Sequence, residues 1–173
     1  MSLKVKVGDQ LPSVGLRATD GYLLNLRSFV TRQPALLVFF GGPTMAAGAA
    51  RRRGIKTMDA LAAGHERLRE AGIAVAAIST DSEQQQTAFV AKHELPFLLL
   101  SDERRSAVHV LGVETVADGA NVNVAKPMAL AVDADGSIRA ILDPIDPDAL
   151  VDRAMRALSE PIPAAANDAQ TAG

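Results

Sequence analysis

A run of six apolar residues, Ala35 to Phe40, is followed at once by Gly41-Gly42-Pro43 and then by an alanine-rich stretch leading into Arg51-Arg52-Arg53. An unbroken apolar run of this length fits a strand covered on both faces. Gly41-Gly42 lets the chain turn sharply, Pro43 suits a helix start, and the alanines favour helix. Strand, tight turn and helix start together aim free backbone N–H groups and the helix dipole at one point. That pattern commits the chain to an α/β architecture and marks the turn as the place for a site. Yet the turn carries only Thr44, Met45, alanines and Gly48, none of them a conventional nucleophile or base.

Composition narrows the chemistry further. The chain has 173 residues, 48% hydrophobic and 22% charged, as in an ordinary globular protein. That length suits one domain burying roughly two thirds of its unfolded surface. The net charge of −2 gives no case for nucleic acid or an anionic membrane as partner. No apolar run approaches the roughly 18 residues of a membrane helix, and Met1 to Lys6 lacks the apolar core of a secretory signal, so the cytoplasm is the expected compartment. Alanine, arginine and leucine usage fits a GC-rich bacterial source. Cysteine is absent altogether, which rules out disulfides, thiolate nucleophiles, thiolate metal sites and iron–sulfur clusters. His65, His93 and His109 are too widely spaced for a metal-ligand motif. The sequence implies no cofactor.

Taken in order, Val14 to Leu26 around Asp20-Gly21 predicts a β-hairpin, and Arg27 to Val30 no more than a helical turn. From about Thr44 to Ala71, Ile55, Met58, Leu61, Ala62, His65 and Leu68 recur on one helical face, with a kink or break expected near Gly54 and an end at Gly72. Ile73 to Ser79 is a second apolar strand. Ser82-Glu83-Gln84-Gln85 has the spacing of a capping box and opens a helix to about His93. Phe97 to Leu100 is a third strand, and Ser101 to Leu111 a short helix closed by Gly112. Glu114 to Val124 reads as a loop. Met128 to Val132 and Ile138 to Leu142 form a second hairpin around Gly136. Asp146-Pro147 reads as N-cap and first residue of the last helix. One domain over 1–160 and a disordered tail over 161–173 are expected. The order implies a mixed central sheet with helices on both faces.

Val7-Gly8-Asp9 with Pro12, the Asp20-Gly21 turn, Gly72 to Ser82, Phe89 to Asp102 and Lys126 to Gly136 together resemble peroxiredoxins, the alkyl hydroperoxide reductase/thiol-specific antioxidant (redoxin) branch of the thioredoxin fold. The resemblance covers roughly Val7 to Leu158 and implies a thioredoxin-like sheet preceded by an N-terminal β-hairpin. It also implies that the turn after Phe40 is the family's active-site loop. There, Met45 and Gly48 stand where the cysteines would be, and Pro127 stands in place of the later arginine, with Lys126 beside it. The resemblance further implies a cis bond at Pro127.

Peroxide reduction by this family needs a thiolate, which neither Met45 nor Gly48 can supply. The family positions are therefore Thr44, Met45, Gly48 and Pro127, and the residues left to bind a ligand are Gly42, Thr44, Arg51, His65 and Lys126. Each has a plainer role: Thr44 as helix N-cap, Arg51 on a solvated face, His65 as a satisfied histidine on the apolar stripe. Asp81, Asp133 and Asp135 could suggest a cation, but such aspartates usually bond backbone N–H groups. Three functions remain open. One is a redox-inactive binding or interaction module, a pseudoenzyme, with a protein partner or small ligand and a homodimeric state. Another is an enzyme using the pocket without thiols. The last is a thiol peroxidase whose cysteines were substituted.

Overall fold

The computed structural model describes residues 3–118 and 121–159. In chain order the elements are β1 (Gly15–Ala18), β2 (Leu23–Asn25), α1 (Leu26–Val30), β3 (Ala35–Phe39), α2 (Ala49–Glu70), β4 (Ala74–Ser79), α3 (Glu83–His93), β5 (Leu98–Ser101), α4 (Ser106–Leu111), β6 (Thr115–Asp118), β7 (Asn121–Ala125), β8 (Met128–Val132), β9 (Ile138–Leu142) and α5 (Leu150–Ser159).

Seven strands form one sheet in the order β2-β1-β5-β4-β3-β8-β9. The apolar run supplies its central strand, β3. It pairs parallel with β4 (Leu37 opposite Ala76) and antiparallel with β8 (Leu37 opposite Leu130). β5 continues the parallel set, and β1 closes against it antiparallel. This is the mixed sheet with an N-terminal hairpin that the pattern implied.

Alternation along each strand divides the core in two. Leu37, Phe39, Ala76, Ile78 and Leu130 face α1 and α4 through Leu26, Val30, Val108 and Leu111. Leu36, Val38, Phe40, Val75 and Leu99 face α2, α3 and α5 through Met58, Leu61, Leu68, Phe89, Leu150 and Val151. Both faces of β3 are dry, which is why its sequence shows no polar alternation. Each fully buried Leu or Phe contributes about 1.5–3 kcal/mol, so this strand anchors the fold.

Several local expectations hold. Ser82 caps α3 with a complete capping box, Gly112 closes α4 in a left-handed conformation, and Gly72 follows α2 with φ +77°. Others need correction. α2 begins at Ala49, not near Thr44, because the intervening residues are held in a turn by neighbouring carboxylates. It runs unbroken through Gly54, a buried position. Gly64 has a packing reason instead: a Cβ there would lie 2.6 Å from Val151 Cγ2 where α2 crosses α5. The stretch read as a loop is the β6–β7 hairpin, whose β-branched Thr115, Val116 and Val124 pair in register. α5 starts at Leu150; Asp146 instead accepts from the Asp148 N–H and heads the turn that leads in. α4 likewise starts only at Ser106. The cis peptide among the described residues is Asp143–Pro144, so Lys126–Pro127 is trans. There the extended chain passes directly from β7 into β8, with Lys126 N–H bonded to Glu114 O and Met128 paired with Phe39. The expected tail over 161–173 lies outside the described residues.

Candidate functional site

Where β3 ends, the sheet still holds the backbone: Phe40 N–H donates to Ile78 O at 3.0 Å. The chain then turns through two buried glycines. Gly42 has φ +85°, and a Cβ on it would fall 1.7 Å from Asp81 Oδ2. A Cβ on Gly41 would fall 1.8 Å from Met45 Sδ. Gly42 must be glycine on both counts, whereas a Cβ on Gly41 would displace the Met45 side chain.

Asp81 follows β4, the parallel neighbour of β3, and is 3% exposed. Its Oδ1 accepts from Thr44 N–H at 3.1 Å and from the Thr44 hydroxyl. Its Oδ2 is buried with no hydrogen-bond partner. A second carboxylate reaches in from the hairpin: Asp118 Oδ2 accepts from Ala46 N–H at 2.7 Å. Both anions sit near the start of α2, where the helix dipole favours negative charge. They hold the turn that a local cap would otherwise have shaped.

Gly48 is the N-cap position of α2, which has no side-chain cap and no acidic residue in its first turn. Against this start lies a cavity of about 430 Å³. Gly41, Met45, Ala49 and Ala50 line it from the loop and helix, and Val116, Ala125 and Pro127 from the hairpin and its exit into β8. Arg53 and Lys126 are its charged lining. Lys126 Nζ pairs with Glu114 Oε2 at 3.0 Å, which raises the lysine and holds the Glu114 carboxyl below its ordinary range. Arg53 makes no ion pair or hydrogen bond through its side chain among the described residues.

The residues named from the sequence therefore separate. Gly42, Thr44, Met45, Gly48, Lys126 and Pro127 belong to one neighbourhood. Thr44 is not the N-cap; its hydroxyl is spent on Asp81. Arg51 is half-buried on the first turn of α2, while Arg53 is the arginine of the cavity. His65 lies in another groove, with Arg69, Thr87 and Pro96, and its ring stands 6.1 Å from that of Phe97. The sequence pattern does not single out Val116 or Asp118, nor Arg53 from the rest of its run. Val116 and Asp118 belong to a hairpin too polar to read as strands. Asp81 reads from the sequence as a backbone acceptor, and it is one. A signal for its partner exists: parallel neighbours β3 and β4 bring their carboxyl ends, and hence Thr44 and Asp81, side by side. Among the described residues no three His, Asp or Glu side chains are grouped to hold a metal ion.

This loop lies at the carboxyl end of the central strand, across from the β7–β8 link, and carries no thiol. A profile of the AhpC/TSA family matches residues 7–141, and the chain belongs to that family. The relatives agree. The chain is 32% identical over 143 residues to "Peroxiredoxin Bcp" of Escherichia coli K12, covering 80% of this chain and 86% of the relative. It is 33% identical over 100 residues to "Peroxiredoxin Q, chloroplastic" of Populus jackii, covering 58% and 44%. The fold matches the crystal structure of "Peroxidoxin BcpB" from Mycobacterium tuberculosis with TM-score 0.73 at 23% identity, over 88% and 95% of the two chains. It matches a cysteine-to-serine mutant of PrxQ from Xylella fastidiosa with TM-score 0.74 at 14% identity, over 90% and 96%. No helix among the described residues is long and apolar enough to cross a membrane.

Proposed function

We propose that this AhpC/TSA-family protein is inactive in thiol peroxidase chemistry and uses the former active-site pocket to bind. The observation that carries the reading is the lining of the cavity at the start of α2. It presents a thioether, apolar side chains and two cations, with no thiol, hydroxyl, carboxylate or imidazole in the lining. Such a lining suits a small ligand with an apolar body and a negative end, the latter toward Arg53 and the uncapped first turn of α2. It does not suit turnover, which needs a positioned proton acceptor or a nucleophile that the chain can regenerate. A homodimer in the bacterial cytoplasm is the setting we propose for it, and light scattering of the purified chain tests the dimer.

Two measurements test the reading. With dithiothreitol as reductant, hydrogen peroxide consumption should not exceed that of buffer plus reductant; steady turnover would overturn it. In a melting experiment, hexanoate should raise Tm while hexanol at equal concentration does not, and Arg53→Ala should remove the difference. Equal, null shifts for both compounds would remove the support for this pocket as the binding site.

A further inference from the structure

We propose that Met45 is an oxidation site, converted to its sulfoxide by a hydroperoxide that enters the cavity at the start of α2. The inference needs no bound ligand and stands apart from the binding role. Among the methionines, Met58 and Met128 are 1% and 4% exposed and locked in the core, and Met155 is half-buried against it. Met45 is half-buried too, but it lines an open cavity of about 430 Å³. Its sulfur packs on Gly41, where a Cβ would come within 1.8 Å of Sδ, so the absence of a side chain at Gly41 makes the room the thioether occupies.

The surroundings favour the reaction as well as permitting it. A sulfur lone pair attacks one oxygen of the hydroperoxide, an S–O bond forms, and the O–O bond breaks. The departing oxygen leaves as hydroxide or alkoxide and takes the proton from the oxygen now on sulfur, giving sulfoxide and water or an alcohol. Sulfur loses two electrons and the hydroperoxide gains them. Negative charge develops on the leaving oxygen, and the same cavity is lined by Arg53, Lys126 and the first residues of an uncapped helix. Cations and oriented N–H groups fixed before reaction lower the barrier to that charge. The chain has no thiol to reverse the step, so each molecule reacts once at Met45 until an external reductase acts.

The experiment is a time course of oxidation of the full chain by hydrogen peroxide, read as the added oxygen on each methionine peptide by mass spectrometry. It is run folded and unfolded in urea. Folding should slow Met58 and Met128 and speed Met45, by about tenfold over its own rate in the unfolded chain. Arg53→Ala, an exposed substitution, should cancel the acceleration at Met45 and leave Met155 unchanged. A folded-state Met45 rate no higher than in urea, or no higher than that of Met155, overturns the proposal. So does an acceleration that survives Arg53→Ala.

Discussion

β3 and β4 lie side by side, run parallel, and each hands the chain to a helix on the same face of the sheet. The junction after β4 is closed by its own sequence: Ser82 caps the third helical residue and Gln85 reaches back to Ser82 N–H at 2.9 Å. After β3, Gly48 at the N-cap position offers α2 no side-chain cap, and the preceding turn is held by Asp81 and Asp118 from elsewhere. Local capping spends the free N–H groups of a helix on the helix's own residues, whereas no side chain caps α2, whose Ala49 and Ala50 line a cavity. The two junctions are also coupled, because Asp81 belongs to the closed one and holds the open one.

The largest test of this contrast is Gly42→Val. It forces a β-branched side chain to φ +85° and onto Asp81 Oδ2, and should cost about 3 kcal/mol or more by urea denaturation. Wild-type stability in that variant would mean that the turn is not pinned between strand and carboxylate. Asp81→Ala should cost about 2 kcal/mol, since Thr44 loses bonds to a charged acceptor. It should also change the oxidation rate of Met45. Ser82→Ala should cost about 1 kcal/mol and leave Met45 oxidation and hexanoate binding as they were. A change at Met45 from this substitution would break the distinction between the junctions.

The smallest expected effect concerns a third helix start. Asp102 accepts from Ala107 and Val108 N–H groups at 3.0 and 2.8 Å and supplies the cap of α4. Burial pushes its carboxyl above the ordinary range, against the lowering pull of those N–H groups. Folding therefore favours the protonated form. Its contribution is complete below about pH 4, where the unfolded carboxyl titrates, and is lost as pH climbs through the raised folded value. Urea melts from about pH 3 to about pH 7 should show the stability of wild type relative to Asp102→Asn declining with pH. A rise would reverse the assignment.

Much of the framework is legible in the sequence because its signals are local. The capping box at Ser82, the turn glycines and the dry runs of β3, β4 and β8 depend on residues adjacent in sequence. The β6–β7 hairpin escapes such a reading because a small two-stranded ribbon at the surface carries no long apolar run. Thr44 looks like a cap because a threonine after Gly-Gly-Pro suits that position; here a buried carboxylate from the next strand outcompetes the helix for it.

By itself the sequence determined the order of the elements of the main sheet and its helices, the family, and the absence of any thiol to work the family's chemistry. Tertiary structure decided where the uncapped helix begins, which arginine lines the cavity, and that Met45 lines it too, with its sulfur packed on Gly41. The division has one physical cause. Apolar periodicity and caps act within a turn or two of chain, whereas the site is held by contacts from Asp81 and Asp118, 37 and 72 residues from their partners.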